Sequence, residues 1–307
     1  MRHLLILRQI EAIARLGSIR KAADRLAITP SALNRRLMAL EAELGEKLFE
    51  RLPRGVRLNP AGELLLHAGR RQIAEMDRVR GQIADLSGVR RGHVAIACSQ
   101  ALAPYFLPEQ MAVYAAEHPA VSFDVSVADH AEAEKALADF TADLAFIVGP
   151  VERVETQPAL SVPQTLMAVM AADHPLAEKA REGRALRLRD CLEWPLALPQ
   201  APFGGRRLLE RAAARLSRPL APAFQSNSFE HLKAVAAQSR AITFQFSVGA
   251  PAAGETGLAS APLDRRDVPE GALVAAQLRG RTLPVAAARF LDQVLRALVA
   301  RYGGEGG

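Results

Sequence analysis

Within the six positions from Ser31 to Arg36 stand four side chains able to read or hold a nucleic acid: Ser31, Asn34, Arg35 and Arg36. An asparagine amide matches the donor and acceptor edge of adenine, and a guanidinium matches that of guanine, so Asn34 and Arg35 are the base-edge candidates. Ser31 and Arg36 suit phosphate oxygens, as does Arg54 further on. Placed at about 100° per residue, Leu33, Leu37, Leu40 and Leu44 fall in one narrow arc, with Ser31, Asn34, Arg35 and Met38 opposite. The leucine arc needs a protein core, and the polar arc is left for another partner. Thr29 and Pro30 supply such a helix with an N-cap and a first position, and Gly45 with a stop. A polar helix face taken alone is ordinarily just solvated, so the reading leans on the surrounding charge.

Two further turns carry chemistry of another kind. Ser99-Gln100-Ala101 follows an apolar run and stands immediately before a helical pattern, and Ser226-Asn227-Ser228 occupies the same kind of place later on. Free N–H groups at a helix start favour a carboxylate or similar small anion. Ser99, Gln100 and Ala101 on one side, with Asn227 and Ser228 on the other, are therefore candidate ligand contacts. Each turn alone reads as well as an ordinary N-cap. The loop Pro202-Phe203-Gly204-Gly205 adds an apolar wall through Phe203. The seven histidines form no His-x-x-x-His or Glu-x-x-His, and the chain has no Cys-x-x-Cys, nucleophile elbow, phosphate loop or dinucleotide fingerprint. No catalysis, metal or cofactor is expected, and Cys98 and Cys191, far apart in apolar contexts, read as buried free thiols.

Charge is unevenly placed. The 307 residues carry 39 Lys+Arg and 33 Asp+Glu, a net +6. Residues 1–90 hold 17 of the basic and 10 of the acidic ones, a net of +7, which leaves −1 for the other 217. A basic head on a near-neutral body fits a polyanion-binding module joined to one with a different task. The length exceeds that of a single hydrophobic core. No run reaches the roughly 18 apolar residues of a membrane span, and Arg8 interrupts "RHLLILRQ" before it can act as a signal-peptide core. The expectation is a soluble cytoplasmic protein without a membrane partner.

The elements that must position these residues follow from pattern. About His3 to Leu16 reads as a helix, and "SIRKAADRLA" as a second one capped by Ser18, whose first turn also suits phosphate. The tight "AIT" turn leads to the third helix, a helix-turn-helix in which small Ala22 and Ala23 permit close packing. "KLFERLPRGVRLNPAG" then gives a β-hairpin, or wing, with Arg54 at its tip. From Pro60 to about Gly88 runs one long helix, on which Met76, Val79, Ile83 and Leu86 form an a/d-like seam. "VRRGHV" reads as a hinge. Beyond it the order is β-α-β-α-β, the start of an open parallel sheet. "QTLMAVMA" opens a second lobe, and "GALVAAQLRG" with "LPVAAARFLDQVLRALVARY" supplies a last strand and a long terminal helix.

The stretch "GSIRKAADRLAITPSALNRRLMALEAELGEKLFERLPRGVRLNPAGELLL" resembles the DNA-binding domain of LysR-type transcriptional regulators. It carries that family's Ala-Ala, Ser-Ala, Leu-Glu, Leu-Gly, Leu-Phe-x-Arg and Ala-Gly marks in order and at the right spacing. The resemblance covers about Ile10 to Ala68, and the element order beyond resembles the family's effector domain. Ile19 stands where the family usually has Phe, a core change, and Asn34 where it usually has Ser, on the reading face. "QSRAITFQF" departs from the family's Gly-rich run, with Ser239, Ala241 and Gln245 in those places.

What the resemblance implies is an α/β chain with a winged helix-turn-helix over 1–58 and a linker and dimerisation helix over 59–90. A two-lobed effector domain, similar in fold to periplasmic binding proteins, follows over 91–307, with lobe I at about 91–162 and 268–300 and lobe II at about 163–267. It also implies a homodimer or homotetramer on double-stranded operator DNA of two-fold character, contact with RNA polymerase, and a small, anionic effector between the lobes, touched by the turn at Ser99 and Gln100. The rival expectation is an architectural nucleic-acid binder whose body serves assembly only, and which needs no ligand.

Overall fold

The computed structural model describes residues 2–86, 92–200, 204–251 and 257–303. The chain divides into two compact units, Met1–Val89 with Asp139–Thr141, and Arg90–Ala138 with Ala142–Gly307.

The first unit runs α1 (Arg2–Leu16), α2 (Ile19–Arg25), α3 (Pro30–Leu44), β1 (Phe49–Leu52), β2 (Gly55–Leu58) and α4 (Pro60–Leu86). Both caps form as their residue types dictate: Ser18 Oγ accepts the Lys21 N–H at 3.3 Å, and Thr29 Oγ1 accepts that of Ala32 at 3.2 Å. Ile10, Ile13, Ala22, Ala23, Leu33 and Leu48 make the fully buried centre, against which Ile19 packs. Leu33 and Leu37 face inward as expected, but Leu44 is 46% exposed. Its place on the inner arc goes to Glu41, a buried carboxylate that accepts the Leu48 N–H at 2.9 Å and pairs with the Lys47 ammonium at 3.0 Å. The acid is tolerated there because both partners are charge-matched or unsatisfied donors where the chain turns toward the hairpin. β1 and β2 pair antiparallel with Leu52 opposite Gly55, leaving Pro53-Arg54 as the two-residue loop.

Asn59 starts α4 by accepting the Gly62 N–H at 2.8 Å and donating to the Lys47 carbonyl at 2.7 Å. The helix lies so close to the hairpin entry that a Cβ on Gly62 would overlap the Leu48 carbonyl oxygen. Along α1, Arg8 pairs with Asp77 at 3.0 Å and Glu11 with Arg70 at 2.8 Å. Of the anticipated seam, Met76 and Val79 are half-buried and Ile83 is 58% exposed. The side chain of Leu86 and residues 87–91, the last three of which open the expected hinge, lie outside the described residues. Gly92, read with that hinge, instead begins the strand expected over "HVAIAC", His93 to Cys98.

The second unit continues β3 (Gly92–Cys98), α5 (Phe106–Glu117), β4 (Val121–Val127), α6 (His130–Ala138), β5 (Leu144–Val148), β6 (Thr156–Gln164), β7 (Leu166–Ala171), α7 (Ala177–Arg181), α8 (Leu188–Cys191), β8 (Leu196–Pro199), α9 (Gly204–Arg215), β9 (Pro222–Ser226), α10 (Phe229–Ala237), β10 (Thr243–Phe246), β11 (Leu258–Pro262), β12 (Gly271–Leu278) and α11 (Val285–Tyr302). Lobe I is a five-stranded sheet in the order β4-β3-β5-β12-β6. β3, β4 and β5 are parallel as expected, whereas the returning β12 enters antiparallel, so the sheet is mixed. β6 is not legible in the sequence because Pro158 and Pro163 interrupt it; as an edge strand it tolerates both. Alternation along β3 sends Val94, Ile96 and Cys98 to one hydrophobic layer with Phe106, Tyr114 and Phe290, and Ala97 to another with Leu137 and Ile147. Lobe II holds the antiparallel order β10-β7-β11 and the parallel pair β8-β9, joined by a parallel bridge from Leu196 to Ile242.

Candidate nucleic-acid interface and ligand cleft

On α3 the side chains of Ser31, Arg35 and Met38 are exposed and Asn34 half so. Among the described residues the Asn34 amide has only the weak acceptor of the Met38 sulfur beside it, at 3.7 Å. Thr29 serves as the cap, with its Oγ1 also 3.2 Å from Ser31 Oγ, and Pro30 fills the first helical position. Arg36 is exposed but turns toward a groove shared with Leu5, Ile6 and Gln9 of α1, away from Asn34 and Arg35. Arg54 is exposed at the hairpin loop. Sequence reasoning passed over Arg51 on β1 and singled out Ser18 without naming Arg20 and Lys21 beside it. All three are exposed, and the last two were signalled by their place in the first turn of α2.

In the second unit the carboxyl ends of β3 and β5 from lobe I meet those of β8 and β10 from lobe II, the usual seat of ligands in α/β sheets. A cavity of about 190 Å³ lies there, lined by Ser99, Ala128, His130, Ile147 and Val148 on one side and by Leu166, Pro199, Phe229, Gln245 and Phe246 on the other. A second, more open hollow of about 720 Å³ shares Val148, Glu152, Arg207 and Phe246 with it.

The predicted contacts divide. Ser99 lines the cavity. Gln100 spans the cleft: its Nε2 donates to the Asn227 carbonyl at 2.6 Å, and its Oε1 accepts the Phe229 N–H at 3.1 Å. It thereby caps α10 from the opposite lobe. Ala101 is not among the residues lining the cavity; it is buried against Gly249. Nor does this turn stand directly before a helix, since α5 starts only at Phe106 and Leu102 turns back onto the Ser99 carbonyl at 3.0 Å. Ser228 is an ordinary N-cap, accepting the His231 N–H at 3.3 Å, and Asn227 offers its main-chain carbonyl to Gln100. Phe203, with Pro202, lies outside the described residues. A further tie across the lobes is buried Lys233, which donates to the Tyr105 hydroxyl at 3.0 Å and sits 4.4 Å over that ring.

Sequence reasoning did not reach Asp129, Glu152, Arg207 or a ligand role for Gln245, all of which line the cavity. Asp129 was within reach, because Asp-x-x-Glu before a helix is a capping box: Asp129 Oδ1 accepts the Glu132 N–H at 2.8 Å, and Glu132 Oε2 the Asp129 N–H at 3.3 Å. Glu152 and Arg207 face each other at 4.0 Å at the cavity wall. Cys98 and Cys191 are buried, and burial pushes their thiols up to about 11 and about 12, which keeps both protonated and unreactive.

Comparison with known proteins agrees with both halves of this geometry. Residues 4–63 match the family model described as "Bacterial regulatory helix-turn-helix protein, lysR family", and residues 87–299 match "LysR substrate binding domain". The chain is 29% identical over 230 residues to a RuBisCO operon transcriptional regulator of Allochromatium vinosum, covering 74% of each protein. It is 30% identical over 229 residues to the HTH-type transcriptional regulator YofA of Bacillus velezensis, covering 75% of this chain and 74% of that one. The HTH-type transcriptional activator CmpR of Synechocystis sp. is 25% identical over 199 residues, or 64% of its length. In fold, the chain matches full-length CbnR complexed with its target DNA, with a TM-score of 0.65 at 19% identity over 96% of this chain and 99% of that one. It also matches a full-length OxyR variant from Pseudomonas aeruginosa, with a TM-score of 0.68 at 20% identity over 95% and 94%. A DNA-reading helix, a wing and a two-lobed substrate-binding domain on one chain are what this family is made of, and the protein belongs to it: it is a LysR-type, DNA-binding transcriptional regulator.

Proposed function

We propose that the protein binds operator DNA of two-fold character as a homodimer or a dimer of dimers, and that a small metabolite held between the two lobes sets its effect on the promoter. The observation that carries this is the outer face of α3, where half-exposed Asn34, bonded among the described residues only to the Met38 sulfur, stands beside exposed Arg35. In this reading α3 enters the major groove, Asn34 and Arg35 read base edges, and Ser31, Arg36 and Arg54 hold phosphates with the first turn of α2. α4 joins two copies through the side of the helix that carries Met76, Val79 and Ile83. No helix among the described residues is long and apolar enough to cross a membrane, in keeping with action on DNA in the cytoplasm.

Mechanism then follows from linkage. A metabolite that binds one arrangement of the lobes more tightly than another shifts the population, and the shift reaches promoter DNA or RNA polymerase only so far as the linked heads differ between the two arrangements.

Two substitutions separate the roles. Arg35→Ala is expected to cost about 1–3 kcal/mol on the specific site and to relax base preference there. Arg54→Ala weakens binding to all sequences and lowers the slope of log K against log salt by about 1. Titration of both variants on an operator duplex and a scrambled one reads this out. Equal losses on the two duplexes for Arg35→Ala would rule out its base-reading role, and absence of any footprint near the gene's own promoter would remove the regulator reading.

A further inference from the structure

Among the described residues, two side chains lining the cavity carry a buried atom without a hydrogen bond: His130, whose Nε2 lies 3.4 Å from the Glu134 carboxylate, and Gln245, which has no such charge beside it. Gln245, next to last on β10, is 2% exposed, and its side-chain Nε2 makes no hydrogen bond. Burying an amide N–H without an acceptor is costly, and such groups persist where something else supplies the acceptor. Ser99, on the facing lobe, accepts the Ala101 N–H at 3.4 Å, and among the described residues its O–H has no acceptor, so it can donate into the same space.

Two acceptors nearby hold helix starts, and the Glu152 carboxylate faces Arg207 at 4.0 Å. The Asp129 carboxylate holds the start of α6 and the Gln100 carbonyl oxygen holds the start of α10. The walls between are apolar: Ala128, Ile147, Leu166, Phe244 and Phe246. At about 190 Å³ the cavity exceeds the roughly 150 Å³ that takes up a benzene ring, so a small ring with one polar substituent fits.

We infer that Gln245 selects the effector, and that the effector is a compact, apolar-bodied molecule presenting an oxygen acceptor to the Gln245 amide and the Ser99 hydroxyl. This rests on reading the cleft as the effector site. The starts of α6 and α10 are closed by the protein's own side chains, the first turn of α9 reaches the cavity through Gly205, and the Gln245 amide and Ser99 hydroxyl are neutral donors offered to the acceptor. Whether it is a carboxylate or an uncharged carbonyl is decided at the cavity wall, where Arg207 opposes Glu152 and Asp129.

The test uses the full-length chain and three probes of one shape: cyclopentanecarboxylate, cyclopentanecarboxamide and cyclopentylmethylamine. Binding is read by ligand-observed NMR and by the shift in melting temperature. The carboxylate, the carboxamide or both bind the wild-type chain, the stronger of the two reporting the charge preferred, and the amine does not. Gln245→Met, close in volume but without a donor, weakens the oxygen-bearing probes by about tenfold or more. Gln245→Glu turns the donor into an acceptor and brings the amine above the carboxylate. Should the buried glutamate prevent folding, Gln245→Met and the wild-type ranking decide, and melting without probe shows which variants fold. An amine that binds as well as the carboxamide overturns the inference. Unchanged affinities in Gln245→Met do so too, since Nε2 would then merely hold a trapped water. Binding without dependence on Gln245 would leave the cleft a ligand site and remove only its selector. If no probe binds while the same preparation still protects operator DNA, the inference falls and the regulator reading stands.

Discussion

In the sequence, His174 stands before a proline, in Asp173-His174-Pro175, and nothing else local marks it. In the structure its Nδ1 accepts the Leu176 N–H at 3.1 Å, its ring meets Trp194 edge-on at 4.4 Å, and burial holds its pKa below the usual histidine range. The folded state therefore resists a proton that the unfolded chain accepts near pH 6.5. This contribution to stability is whole above about pH 6.5 and shrinks as pH falls below it. Urea midpoints measured from about pH 8 down to pH 5 should decline over the lower half of that range, and His174→Asn, which keeps an acceptor near the position of Nδ1, should flatten the decline. An identical slope in both chains would mean another group titrates there. Residues of this kind are hard to read in advance because their chemistry depends on burial. The exposure of Arg35 and Arg54 was legible, because helical phase and hairpin position decide which side chains face outward. Glu41 was not: in "ALEAELGEKL" nothing local distinguishes the acid that is folded inward from those that stay in water.

Elements were legible wherever a cap or a turn announced them. Thr29-Pro30, Ser18 and Asn59-Pro60 each begin the helix they promised, and Pro53-Arg54 closes the hairpin. The misses include β6, with two prolines, β11, whose "LASAP" carries little apolar weight, and the short α7, α8, β8 and β9. The Ala-Gly mark at the head of α4 has a steric cause that the sequence does not display. Gly62→Ala would press a methyl group onto the Leu48 carbonyl oxygen, a backbone atom that cannot give way cheaply, and should cost about 1–3 kcal/mol. Gly81, further along the same helix, has nothing within 4 Å of its would-be Cβ, so Gly81→Ala should stabilise by up to about 1 kcal/mol. Thermal melts of the two variants test this pairing, and a loss at both sites would refute it.

For the molecule as a whole, the confinement of basic excess to residues 1–90 already separated a DNA-reading head from its body. The composition of the cavity was beyond reach because Ser99, Leu166 and Gln245 are far apart in sequence and meet only when both lobes are built. Joining of copies through α4 is a testable property of the assembled protein. Ile83→Glu places a charge on the exposed part of that helix and should shift sedimentation toward the monomer, with loss of affinity for a paired operator but not for an isolated half-site. A variant that sediments as the wild type and keeps its operator affinity would exclude that helix face as the joint.

The ties across the cleft bear on how such a protein can be rebuilt. Gln100 of lobe I satisfies Asn227 and Phe229 of lobe II, Tyr105 receives Lys233, and Ala101 lies buried against Gly249. A chimera that imported one lobe from a distant relative would strand each of these groups without its counterpart. Domain-swapping projects aimed at new sensors should graft the body as a single cassette, cut near the end of the long helix, and never exchange halves.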